Sequence, residues 1–138
     1  MHKEIREEKK AISVLAICVE DDRAKFESVF FHTAWEISYV LNIKEVEQAV
    51  SSKPFQVIIC PYILADRTTW LEVLALAGEA RVIVSLPYDD DRMALEVIYL
   101  NGFDYLVRPF APDHLRESVI RAWSNWYNER GHSSSAHG

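Results

Sequence analysis

The segment Ile12-Ser13-Val14-Leu15-Ala16-Ile17-Cys18-Val19 is nearly all apolar and rich in β-branched residues. A strand with one face in water alternates apolar and polar side chains, so a run without alternation needs cover on both faces. Helices supply that cover in parallel sheets, and this one segment therefore directs attention to an α/β architecture. Phe55 to Cys60, Arg81 to Ser85 and Phe103 to Val107 are further strand-like runs, and Trp35 to Leu41 alternates more loosely. Pro61 ends the run at Cys60, because proline has no N–H for a ladder.

The stretches between these runs carry helix periodicity. Phe26, Val29, Phe30 and Ala34 recur at spacings of three and four after the acidic group Glu20-Asp21-Asp22. Ile43, Val46, Ala49 and Val50 mark a second helix, closed by Ser51-Ser52-Lys53-Pro54. Trp70, Leu71, Val73, Leu74 and Ala77 mark a third, with Gly78 as its stop. Asp89-Asp90-Asp91 opens a fourth at its positive dipole end, and Asn101-Gly102 closes it. Pro112 and Asp113 start the last, with Leu115, Val119, Ala122, Trp123, Trp126 and Tyr127 along one side. Five strand–helix units predict a flavodoxin-like three-layer sandwich, a five-stranded parallel sheet of order 2-1-3-4-5 with five helices. Ligands and chemistry in such sheets gather at the carboxyl ends of the strands. The positions of interest are thus Glu20–Asp22, Cys60–Tyr62, Ser85–Tyr88 and Arg108–Phe110.

A length of 138 residues fits one domain. Residues 1–10 read as a charged leader, 11–130 as the folded domain and the small polar stretch 131–138 as a flexible tail. A net charge of −6 argues against a broad grip on nucleic acid and against a polybasic membrane anchor. No apolar run is long enough to span a bilayer, and the charged start is unlike a signal peptide. Cys18 and Cys60 form no metal-ligand pattern, and a reduced, cytoplasmic chain is expected. There is no Gly-rich phosphate loop, nucleophile elbow or Cys/His pairing, so an enzyme is not expected.

Taken in order, the strand ends resemble the receiver domain of bacterial response regulators across roughly residues 12–127. Val19-Glu20-Asp21-Asp22 is similar to the acidic pair after the first strand. Phe55 to Tyr62 resembles the third strand, which in receivers ends in the phosphorylated aspartate. Asn101-Gly102-Phe103-Asp104-Tyr105-Leu106-Val107-Arg108-Pro109-Phe110 is similar to the fifth strand with its Lys-Pro-Phe ending. The resemblance implies a phosphorelay site built from the acidic pair Glu20 and Asp21, an acceptor, a Thr/Ser, a switch aromatic at Tyr105 and a Lys. The departures from it are chemical. The acceptor place falls on Pro61, or on Cys60 with a slip of one, and neither forms an acyl phosphate. The hydroxyl place falls on Ser85, or on Leu86 when counted without a gap. The Lys place is Arg108, whose planar fork can pair with Glu20 or Asp21, and Arg108-Pro109 is where the family has a cis peptide bond.

The expectation is an atypical receiver domain that has lost Asp phosphorylation and works as a protein–protein interaction module in two-component signalling. No cofactor is expected, and Mg²⁺ on Glu20 and Asp21 alone should bind weakly. The partner is a signalling protein or a second copy, met through the fourth helix, fifth strand and fifth helix, with Tyr99, Tyr105, Arg121 and Trp126 as contact candidates. The alternative is a module that senses a small ligand in the same strand-end cleft, using Ser85, Arg108 and the acidic pair. Three plainer readings stand beside these. Asp22 is a helix cap in a solvated loop, Cys60 is inert packing, and Asp66 is a loop carboxylate too remote to accept phosphate.

Overall fold

The computed structural model describes residues 12–18, 20–31 and 33–137, so the leader 1–10 lies outside the described residues. Five strands, β1 (Ser13–Ile17), β2 (Glu36–Val40), β3 (Val57–Pro61), β4 (Arg81–Leu86) and β5 (Asp104–Val107), form one sheet in the order β2-β1-β3-β4-β5. Every pairing is parallel. The helices are α1 (Glu20–Phe30), α2 (Ile43–Ser52), α3 (Trp70–Leu76), α4 (Asp91–Tyr99) and α5 (Pro112–His137). The flavodoxin-like order expected from the apolar runs is the one observed.

The sheet divides the core in two. On one face Leu15, Ile17, Ile58, Cys60, Val82, Val84 and Leu86 pack against Val46 of α2, Trp70 and Val73 of α3 and Val97 of α4. On the other, Val14, Ala16, Val57, Ile59, Ile83 and Leu106 meet Phe26, Val29 and Phe30 of α1 and Leu115, Val119 and Ala122 of α5. Successive strand residues thus go to opposite cores, which is why the strands read as unbroken apolar runs. Each fully buried Val or Leu contributes roughly 1.5–3 kcal/mol relative to exposure.

Local chemistry sets the element ends. Asn42 caps α2 by accepting from the Glu45 N–H, while the Glu45 carboxylate accepts from the Leu41 N–H. Asp90 caps α4 through the N–H groups of Arg92 and Met93. Gly78 follows α3 at φ +61°, a backbone that glycine adopts without a Cβ penalty. Gly102 is required for a different reason. A Cβ there would stand 2.5 Å from Val97 Cγ1 and 3.0 Å from the Val97 carbonyl oxygen.

Two elements differ from the sequence reading. The helix after β1 begins at Glu20, so the acidic group forms its first turn rather than a preceding loop. The last helix runs through His137, so 131–137 is helical where a flexible tail was expected. Gly131 is a single interruption, and extending a formed helix adds one hydrogen bond per residue fixed.

Candidate functional site

Parallel strands deliver their carboxyl ends to one edge of the sheet. There Pro61 of β3 lies in register with Ser85 of β4, and Ser85 in turn with Leu106 of β5. Leu86 belongs to the core beneath α2, α3 and α4. Strand alternation therefore puts Ser85 on the opposite face, the one shared by Pro61 and Arg108. Ser85 is buried, and its carbonyl accepts from the Tyr62 N–H at 2.9 Å. It is thus Ser85, and not Leu86, that stands beside Pro61.

The described partner of Arg108 is Asp22, where the sequence offered Glu20 or Asp21. Its guanidinium donates twice to Asp22, at 2.7 Å to Oδ2 and 2.6 Å to Oδ1. Asp22 is 4% exposed and lies inside the first turn of α1, so it does not cap the helix from a solvated loop. The sequence held a signal for this partner. Asp22, Phe26, Val29 and Phe30 follow i, i+4, i+7 and i+8, which places Asp22 on the inward stripe of α1. A carboxylate on such a stripe needs a cation, because an unpaired buried charge is very costly. The two bonds to Asp22 hold the Arg108 guanidinium above its already high ordinary pKa, more than offsetting burial.

Of Glu20 and Asp21 only the backbone is described, at the start of α1. Among the described residues no three His, Cys, Asp or Glu side chains converge into a possible metal site. Pro61 offers no side-chain oxygen, and both Asp22 oxygens are taken by Arg108. A cavity of about 260 Å³ remains above the pair, lined by Asp22, Lys25, Pro87, Arg108, Pro109 and Phe110. The Arg108–Pro109 peptide bond is cis, as the resemblance implied.

Tyr62, one residue past Pro61, lies in a strand-end segment that the sequence singled out without giving this side chain a role. Its hydroxyl donates to Glu96 of α4, tying the end of β3 to that helix. That bond, with burial second, pushes the Tyr62 phenol up to about 12. Cys60 is fully buried and burial pushes its thiol far up, which fits a packing residue. Asp66 is exposed in the β3–α3 connection, where it accepts from the N–H groups of Ile43 and Thr68. It joins α2 to that loop and takes no part in the strand-end cluster.

The surface candidates separate into two places. Tyr99 is 79% exposed at the end of α4, and Tyr105 stands on β5 beside Arg121, which is paired with Asp104 at 2.5 Å. Tyr105 and Arg121 line a groove of about 710 Å³ with Arg108, His114 and Glu117. Trp126 does not belong to this face. It follows the Leu115–Val119–Ala122 stripe of α5 past the sheet, to a cavity lined also by Pro54, Phe55, Gly78 and Glu79. Its i+4 and i+7 spacing from that stripe points it beneath the amino ends of β3 and β4.

No protein-family model matches the sequence, and no curated protein matches it. Solved structures do. The signal receiver domain of a protein assigned as a LuxO repressor, from Vibrio parahaemolyticus, superposes with a TM-score of 0.76 at 22% identity, covering 87% of this chain and 95% of that one. NtrX from Brucella abortus gives a TM-score of 0.81 at 18% identity, over 89% of this chain and 29% of that longer one. The receiver domain of the Francisella response regulator 1452 gives 0.72 at 18%, over 83% and 98%. The chain has the receiver-domain fold. In that fold Pro61 stands at the carboxyl end of β3. Among the described residues no helix is long and apolar enough to cross a membrane.

Proposed function

We propose that this chain is a phosphorylation-independent receiver domain in two-component signalling, a protein–protein interaction module and not an enzyme. The observation that carries the reading is Pro61 at the end of β3, in register with Ser85. An acyl phosphate needs a carboxylate at this place, and proline has neither a nucleophile nor an N–H to orient one. The only described carboxylate nearby, Asp22, has both oxygens engaged by Arg108.

The output surface in this reading is the face of α4, β5 and the first half of α5. Tyr99, Leu95 and Ile98 are exposed on α4, and Tyr105 and Arg121 flank the groove beside it. Exposed aromatics with an arginine suit a contact with a signalling partner or a second copy. Control then comes from concentration and partner binding.

The test is incubation of the pure chain with Mg²⁺ and acetyl phosphate, followed by intact mass. No phosphoryl mass is expected, while a working receiver treated alongside gains one group. A gain by this chain, acid-stable or not, overturns the reading.

A further inference from the structure

We infer that a cavity at the amino end of the sheet is a binding site for a planar aromatic carboxylate, whose ring lies on Trp126 and whose anion takes Arg130 from Glu79. The inference stands apart from the phosphorylation-independent reading, which concerns the opposite edge of the sheet.

The cavity has a volume of about 490 Å³, within the range of small-ligand sites. Phe55 and Gln56 lead into β3, Gly78 and Glu79 lead towards β4, and Trp126 and Arg130 come from α5. Its apolar wall is Val50, Phe55, Leu76, Ala77 and the half-buried Trp126 ring. A flat ring suits such a wall, because aromatic faces pack against one another in offset or edge-on arrangements. Gln56 accepts from the Ser13 N–H at 2.7 Å, which ties this wall to the start of β1.

The rim is charged. Lys53 lies 5.3 Å over the Phe55 ring and Arg130 4.8 Å over the Trp126 ring. Glu79 is the one acid among the described lining residues. Two cations against one acid make this mouth positive within a chain of net charge −6, so charge complementarity selects an anion. Arginine can stack on a ring and still offer its planar fork to a carboxylate. A ligand that joins a ring to a carboxylate therefore meets Trp126 and Arg130 together. Glu79 already holds Arg130, but both side chains are exposed, and exposed pairs of this kind are weak. A ligand carboxylate displaces Glu79 at small cost.

The experiment follows the amide and indole NMR signals of the full chain during titration with naphthoate, with naphthamide as the neutral counterpart. The Trp126 indole and the Gly78 amide should shift together and saturate, with a dissociation constant of roughly 1 mM for a ligand of this size. Naphthamide should bind about two- to fivefold more weakly. Glu79→Gln should bind naphthoate about two- to fivefold more tightly, and Arg130→Gln more weakly by the same factor. Trp126→Leu should bind it about fivefold more weakly or worse. Glu79 and Arg130 are exposed, so their variants decide the matter if Trp126→Leu unfolds. No saturable shift in the natural chain overturns the inference. So do shifts that neither charge variant alters, and so does equal binding of naphthamide and naphthoate.

Discussion

The two ends of the sheet are held by arginines in opposite circumstances. At the carboxyl end Arg108 meets Asp22, whose side chain is 5% exposed, across 86 positions of sequence. At the amino end Arg81 and Arg130 reach Glu129 and Glu79, whose side chains are 66% and 70% exposed. Arg130 also lies 4.8 Å over the Trp126 ring, and Arg81 donates to Asn125 at 2.7 Å. The exposed pairs sit in water and are individually weak. The buried pair is different, because removing one partner strands the other. Packing does at the amino end what charge does at the carboxyl end: Gly102 lets the turn before β5 close onto Val97. The carboxyl edge of the sheet is thus held together by a buried charge pair, and the amino edge by exposed pairs and close packing.

This contrast can be broken at either end. Asp22→Ala should cost the most, about 3 kcal/mol, the low end for a broken buried pair because the Arg108 side chain is 29% exposed. Urea unfolding measures it. Replacing both partners with apolar residues, Asp22→Leu with Arg108→Met, should recover much of that loss. A double variant as unstable as the single would show that the pair is not the source of the cost. Next comes Gly102→Ala at the amino end. Its Cβ overlaps Val97, and overpacking of this kind costs roughly 1–3 kcal/mol. A neutral Gly102→Ala would mean that the α4–β5 turn yields.

Arg130→Gln should cost roughly 0.5 kcal/mol or less at low salt, with the difference vanishing at high ionic strength. The loss at Asp22→Ala should persist there, and a salt-sensitive Asp22 effect would erase the contrast. The smallest effect lies at Tyr62. Its folded phenol is raised from 10.0 to about 12. The stability contributed by its bond to Glu96 is therefore complete below pH 10 and lost as pH climbs towards 12. Ultraviolet titration of the chain against Tyr62→Phe should show one late phenolate missing from the variant. An early one missing would contradict the bond. The Tyr62 side chain is only partly buried, so any change in stability should be slight.

Much of the fold was legible because burial on both faces writes itself into every strand. The run from Val57 to Cys60 has one plausible structure, and Asn42, Asp90 and Pro112 start their helices through contacts within a turn. The strand ends near Pro61, Ser85 and Arg108 were legible for the same reason, while the choice between Ser85 and Leu86 was not. Partner choice was not. Three acids follow one another at Glu20-Asp21-Asp22, and sequence proximity to the strand end favours the first two. Helix phase favours the third, and only once the helix is known to begin at Glu20. Trp126 misled in a similar way. Its place near the end of a helix suggested an outer face, while its phase on α5 keeps it in line with Leu115 and Ala122.

By itself the sequence determined the five strand–helix units and the absence of a carboxylate at Pro61. Those properties depend on periodicity and on residue identity, which are local and need no neighbour. Only the tertiary structure decided that Arg108 takes Asp22, that Ser85 and not Leu86 flanks Pro61, that Tyr62 reaches Glu96, and that Tyr99 and Trp126 serve different surfaces. Each of these is a meeting of side chains from separate elements. Strand register and helix phase fix such meetings jointly, and neither can be read before the layers are packed.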